Sequence, residues 1–260
     1  IAFLIASGVS DMEATDGLFA LGCAMVIAIL LEIGDLLLSS SITRQKPVFD
    51  VKAWLATSLP MAVGAIARLL AVGSDVILLN ILMGWKQAGL YHAAMVLVML
   101  VIIPTRAGLA GATPFLSHNA DPETVGEFRR IASRTMRFSV IGGVVMFAVL
   151  ALFGSQLLAL FGPDFTEVYQ VLVVLAFAMV GYAISLVAGN NLYMLGQAKR
   201  ASRVIMVAAV STVVMSAIGI AEFGLMGAAV AFVINRYGIA IVLIVMTRRQ
   251  LTSLSQTQAT

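Results

Sequence analysis

The stretch "GAIARLLAVGSDVILL", residues 64–79, decides how this chain is read. It is apolar enough to lie in lipid, yet it carries Arg68 and Asp75. Their spacing is nearly two helical turns, which puts both on one face roughly 10 Å apart. That is far for a direct bond and natural for two groups lining one cavity. A charged side chain at the bilayer centre costs about 2.5–3.5 kcal/mol even on insertion scales, so it normally turns toward a bundle interior or a wet cavity. The stretch therefore reads as one wall of a multi-helix membrane bundle.

The remainder of the chain supplies the other walls. Its 260 residues are 61% hydrophobic and only 11% charged, with mean hydropathy +1.03. A soluble domain is typically about 25% charged. Seven apolar segments, near 17–38, 53–83, 88–115, 136–160, 166–195, 202–221 and 225–247, reach the roughly 20 residues that a crossing needs. Residues 1–8 resemble the tail of an eighth. The runs are continuous rather than alternating with period two, which argues against a β-barrel. The fold class is all-α, a polytopic membrane helix bundle. The segment 53–83 exceeds what a ~30 Å core requires, so it is expected to tilt or project past the interface. The chain starts at Ile1 inside the apolar run "IAFLIAS" with no basic region ahead of it. We expect the C-terminal part of a longer chain rather than a signal peptide.

Charge alternates between the connections. One set holds Arg44, Lys46 and Lys52; then Arg129, Arg130, Arg134 and Arg137; then Lys199, Arg200 and Arg203; then Arg248 and Arg249. The intervening set holds Lys86 against Asp11, Glu13, Asp16, Asp164, Glu167 and Glu222. The positive-inside rule makes the basic side, and with it the C-terminus, cytoplasmic. These loops read as topology signals with contacts to anionic lipid headgroups, not as a nucleic-acid surface. The segment "DPETVGEFRRIASR", 121–134, spaces Val125, Phe128 and Ile131 helically and is expected to lie on the membrane surface as an amphipathic lead-in.

Setting the loops aside leaves Arg68, Arg106, Arg236, Glu32, Asp35 and Asp75 inside spans. Arg236 lies near the midplane, Arg68 is similarly deep, and Arg106 is nearer the basic side. Glu32 and Asp35 are close enough to an interface to snorkel. Packing charges neutralised by neighbouring helices are the plain alternative for the deep ones. Asn190 and Asn191 in "AGNNLYMLG" are costly against lipid, so they are expected to face protein or a cavity. Pro60 and Pro104 are expected to kink their spans. "GLMGAAVA", 224–231, offers a small-residue face for close helix contact. His92 reads as an interfacial histidine, and the sole cysteine, Cys23, as packing. There is no glycine-rich phosphate loop, metal-ligand cluster or nucleophile constellation, so neither a cofactor, a metal site nor an enzyme is expected.

The segments appear in a telling order. A basic loop precedes "WLATSLPMAVGAIARLLAVGSDVILLNILMGWKQAGLYHAA" and a proline-broken span ending "ATPFLS". Then come "LFGSQLLALFGPDFTEVYQVLVVLAFA", "NNLYMLGQAKRAS" and "GLMGAAVAFVINR". Over about residues 45–250 this resembles the C-terminal half of the polysaccharide flippases, the O-antigen and teichoic-acid exporters of the MATE-like MOP superfamily. The resemblance implies two lobes of six helices related by a pseudo-twofold axis along the membrane normal. Residues 1–45 would then end the first lobe (spans five to six), 46–250 would form the second lobe (spans seven to twelve), and 251–260 a cytoplasmic tail. The missing first lobe would be a partner from the same chain.

The resemblance further implies a bacterial inner-membrane transporter. Its substrate would be an undecaprenyl-diphosphate-linked oligosaccharide, flipped to the outer leaflet by alternating access for cell-surface polysaccharide synthesis. Arginine suits such a headgroup, because its planar donor fork matches phosphate oxygens and stays charged when desolvated. Arg68, Arg236 and Arg106 are the candidates for that contact. Asp75 would set the charge balance or couple to a proton or sodium ion, and Asn190 and Asn191 complete the candidate substrate-binding set. A MATE-type drug/cation antiporter and a peptidoglycan-precursor flippase are the alternatives. A non-transporting scaffold is the reading from a different class. The topology predicts that a green fluorescent protein fused after Thr260 fluoresces, while alkaline phosphatase inserted in "FGPDFTEV" is active; the opposite pattern would invert the chain in the membrane.

Overall fold

The computed structural model describes residues 14–38, 51–119 and 124–257. The expected tail of an eighth span at 1–8 and the basic residues Arg44 and Lys46 lie outside the described residues, as do the side chains of Asp35, Pro60 and Arg68. The chain forms two compact units, Ile1–Asp50 and Val51–Thr260. In the first, helix α1 (Ala14–Leu38) carries exposed Met25, Leu31 and Glu32.

The second unit is built from helices alone among the described residues. Helix α2 (Val51–Met83) runs uninterrupted through Pro60 and ends at Gly84, whose φ of 90° turns the chain. Then come α3 (Trp85–Val98), a 3-10 segment (Met99–Ile102) and α4 (Ile103–His118), which together make one broken pass. Pro104 sits at the start of α4, where its missing N–H is tolerated, so the expected break at this proline takes the form of a 3-10 interruption and helix restart. Helix α5 (Val125–Ala159), a 3-10 segment (Pro163–Val168) and α6 (Tyr169–Met194) follow.

The last element, α7 (Ala198–Thr257), is 60 residues, roughly 90 Å at 1.5 Å per residue, and far exceeds one bilayer crossing. Gly224 divides it, with φ 58° and ψ −138° in a region essentially reserved for glycine. We call the halves α7a (198–223) and α7b (225–257). The stretches 85–118, 125–159, 163–194 and 198–254 are each apolar and long enough to cross a membrane, the last of them twice.

The lead-in at 121–134 differs from expectation. It does not form a separate surface helix; from Val125 onward it is the first turns of α5. Its apolar positions explain why. Phe128 and Ala132 are buried with Leu116 of α4 and Leu195 after α6, and Leu251 and Leu254 of α7b pack against them. This cluster gathers the end of α4, the start of α5, the end of α6 and the end of α7b. The basic groups on α5 and α7b therefore share one end of the unit.

Helix α6 is the central post. Of its most apolar window 72% is buried, against 22% for α5, so α5 faces outward. Lipid tails are as apolar as leucine, so helices gain little by hiding apolar surface from one another and instead associate through close packing and interhelical hydrogen bonds. Helix α6 accordingly presents Ala176, Ala178, Ala183 and Ala188, all buried. Tyr169 Oη donates to the Ala151 carbonyl at 2.5 Å, tying its start to α5.

The small-residue face at 224–231 serves the expected contact. Ala228 and Ala229 are fully buried. Gly227 lies against the backbone of Gly219 across the turn, so close that a Cβ on either would collide with the other's carbonyl group. Gly227→Val is therefore expected to cost roughly 1–3 kcal/mol or more, as overpacking does, and to lower the melting temperature of the protein in detergent. An unchanged melting temperature would mean that the two helices do not cross here.

Candidate functional site

Three consecutive residues set the geometry of α7b. Side chains advance about 100° per residue around a helix, so Asn235, Arg236 and Tyr237 point three ways. Asn235 Nδ2 donates to the Ala208 carbonyl at 3.1 Å and to Ser211 Oγ at 2.7 Å, both on α7a. Tyr237 stacks on Phe177 of α6 at 5.0 Å between centroids and donates its hydroxyl to the Phe177 carbonyl at 3.2 Å. Gly181 clears the space for that ring; a Cβ there would meet it at 2.9 Å. With both flanks anchored, Arg236 is driven into the interior.

Arg236 is 3% exposed. Its guanidinium carbon lies 4.3 Å from the ring centroid of Phe232, one turn earlier, and 4.8 Å from that of Tyr182 on α6. Two ring faces stabilise a desolvated cation through their quadrupoles, by up to about 2 kcal/mol each. Beside it is a small cavity of about 30 Å³, bounded also by Tyr182, Ser185 and Thr212. That holds about one or two waters, not a phosphate group.

Asp75 of α2 is fully buried. The Ser216 hydroxyl of α7a and the Arg236 guanidinium bear on it electrostatically. Tyr91 of α3, also fully buried, feels both charges. Neither Asp75 oxygen, nor Tyr91 Oη, nor Ser216 Oγ meets a hydrogen-bond partner in strict geometry among the described residues. Unmet buried polar atoms are rare and costly in folded proteins. Here several lie together at a depth of about eight residues, roughly 12 Å, from the Gly84 and Gly224 turns.

The residues singled out from the sequence thus fall into separate places. Asp75 and Arg236 come together in the interior. Arg106 is exposed on the first turns of α4. Asn190, half-buried, donates Nδ2 to Thr113 Oγ1 of α4 at 3.3 Å, so it faces protein rather than lipid. Asn191 is 3% exposed and faces a different cavity, at the basic end. His92 is exposed. No group of three or more histidine, cysteine or acidic residues that would hold a metal occurs among the described residues. Sequence reasoning missed Tyr91, Tyr182, Ser216 and Phe232. Of these only Phe232 was findable, as the residue one turn before Arg236.

Among the described residues the second unit thus has six helical passes, α6 central among them, with a sparse buried charge cluster. Solved structures share this fold. A multidrug resistance MATE family transporter of the MOP superfamily, in outward-facing conformation, matches with TM-score 0.79 at 18% identity over 90% of this chain and 56% of that one. A MOP superfamily transporter from Pyrococcus furiosus, described as having a binding pocket of reverse polarity and a different function, matches with TM-score 0.77 at 16% identity over 89% of this chain and 55% of that one. In sequence the chain is similar to the probable low-salt glycan biosynthesis flippase Agl15 of Haloferax volcanii, 23% identical over 231 residues, covering 88% of this chain and 48% of that protein. No family model matches. The chain spans about half the length of these relatives. The resemblance to MOP-superfamily flippases and the polytopic helical fold both stand, and the relatives are transporters rather than enzymes.

The geometry predicts unequal roles for the two buried groups in stability. Asp75→Asn keeps the shape and removes a charge whose desolvation outweighs its attraction to Arg236, so unfolding in detergent is expected to shift by less than about 1 kcal/mol. Arg236→Lys loses the planar stack on two rings and is expected to cost about 1–2 kcal/mol. Equal effects in a melting series would mean that the rings do not hold the cation.

Proposed function

We propose that this chain forms one lobe of a flippase that carries a polyprenyl-diphosphate-linked oligosaccharide, of the undecaprenyl type in a bacterial inner membrane, from the inner to the outer leaflet. The lobe would rock against a first lobe of the same protein in alternating access, with the arginine-rich end and the C-terminus in the cytoplasm. The observation that carries the reading is the guanidinium of Arg236, held buried at mid-depth on a transporter fold. The similarity to a glycan biosynthesis flippase supports it.

The chemistry divides the work among the arginines. A diphosphate needs cationic donors along a wet path. Arg106, exposed on α4 within a spanning pass, is accessible to such a headgroup. Arg236 in this conformation has room beside it for water only. It would balance Asp75 here and meet a phosphate only when the α2, α6 and α7b contacts open. Arg68 would add to the same path on α2. Asp75, fully buried with Ser216 and Arg236 acting on its carboxyl, is the group to bind a coupling proton or sodium ion.

A second reading is favoured by one feature. A buried carboxyl suits a cationic drug, and the solved relatives include multidrug transporters. A peptidoglycan-precursor flippase would use the same headgroup chemistry as the first. The test is export in cells carrying the full-length protein at matched abundance, wild type against Arg106→Ala and Arg236→Ala. Loss of one charge-assisted contact is worth about tenfold. We expect export to fall at least about that much, with lipid-linked oligosaccharide accumulating on the inner leaflet. Accumulation of peptidoglycan precursor would move the substrate, and altered resistance to cationic drugs alone would move the protein to the antiporters. Normal export in both variants would overturn the assignment.

A further inference from the structure

A second polar cavity lies at the basic end of the unit, apart from the Asp75–Arg236 cluster. It measures about 550 Å³ and is enclosed by three helices: α5 with Arg129, Ser133 and Met136, α6 with Asn191, and α7b with Thr247 and Arg248. That volume is within the range of small-molecule sites, about 300–1,000 Å³. The cavity is graded along the helix axes. Helix α5 enters from this end while α6 and α7b leave by it, so Met136, Ala188 and Ile244 are the deepest lining groups and Arg129 and Thr252 the outermost. The depth between them is about 10 Å at 1.5 Å per residue. An apolar floor beneath a doubly cationic rim fits an amphiphile rather than a free ion.

A second observation points to a ligand. Asn191 is 3% exposed and lines this cavity, and its Oδ1 is buried with no hydrogen-bond partner among the described residues. An amide accepts from a ligand hydroxyl or, turned over, donates to a phosphate oxygen. The Thr247 hydroxyl, also on the cavity wall, donates to the Leu243 carbonyl at 2.8 Å and lies 3.3 Å from the Ala188 carbonyl. The ion pair recorded on this stretch of α5, Arg130 with Glu127 at 3.8 Å, involves neither cavity arginine. Arg129 and Arg248 converge from different helices, as a phosphodiester with several acceptor oxygens requires.

We propose that this cavity is a binding site for the headgroup of an anionic glycerophospholipid. The phosphate sits between Arg129 and Arg248, Asn191 bonds the headgroup, and the glycerol and upper chains rest on the apolar floor. The proposal does not depend on the flippase reading.

The test is native mass spectrometry of the delipidated full-length protein, titrated with phosphatidylglycerol, phosphatidylcholine or glycerol 3-phosphate. Phosphatidylglycerol is expected to bind at least about tenfold more tightly than phosphatidylcholine, with Arg129→Gln and Arg248→Gln each costing about tenfold. The single controls Arg130→Gln and Arg249→Gln each remove the same charge from outside the cavity and are expected to retain binding. Asn191→Leu removes an unmet polar atom without losing volume. It is expected to weaken phosphatidylglycerol binding while leaving the lipid-free melting temperature unchanged or higher, a combination that a merely structural asparagine would not produce. Equal losses in the cavity and control variants would reduce the effect to diffuse surface charge and overturn the proposal. So would glycerol 3-phosphate binding as tightly as the lipid, or Asn191→Leu lowering stability and binding together. Export is not read in this assay, so its failure and that of the transport reading are separate results.

Discussion

The structure depends on how a guanidinium is held inside a membrane bundle. Arg236 has room beside it for one or two waters at most, and an isolated charge in hydrocarbon is expensive. The chain answers with two ring faces, a buried carboxyl that acts on it electrostatically and a rigid local frame. The frame comes from its chain neighbours. Asn235 ties α7b to α7a, Tyr237 ties it to α6, and the cation is left one direction to point. Loosening either tie would turn the helix and carry the charge toward lipid. The small residues of α6 and the glycine contact at the α7a–α7b turn serve the same end, since rings and backbones must approach closely for these bonds to form.

The interior cluster is under-bonded by comparison with that frame. Asp75, Tyr91 and Ser216 stand close enough to act on one another, yet no strict hydrogen bond closes the group among the described residues. A fully satisfied network rigidifies a core, while a partly satisfied one leaves free energy to be gained from rearrangement or from a ligand. A protein that exchanges between two packings needs groups of the second kind at the surfaces that part. Asp75 on α2, Ser216 on α7a and Arg236 on α7b belong to three helices, so any relative movement among them changes the cluster's electrostatics at once.

Much of this was legible in the linear chain. The helical passes follow from apolar run length, because a backbone in lipid must satisfy its hydrogen bonds within its own helix. The depth of Asp75 and Arg236 follows from counting residues to the nearest turn. The grouping of basic residues at one end follows from the alternation of loops, and the cluster around Phe128 and Leu116 shows it in three dimensions. The lead-in before α5 was misplaced on the surface, because helical spacing of Val125, Phe128 and Ile131 looks the same whether the apolar face meets lipid or protein.

What the sequence by itself determined is which residues must be inside and how deep, since those are properties of one helix and its solvent. Which of them meet was decided only by tertiary structure. Arg106, Asn190, Asn191 and Arg236 looked like one set and occupy different surroundings, because the azimuth of each helix is set by contacts with its neighbours and not by its own hydropathy. Tyr91, Tyr182 and Ser216 carry no signal of their own. They matter because Tyr237, Asn235 and the glycine contact rotate their helices until ordinary side chains converge on one buried carboxyl and one buried cation.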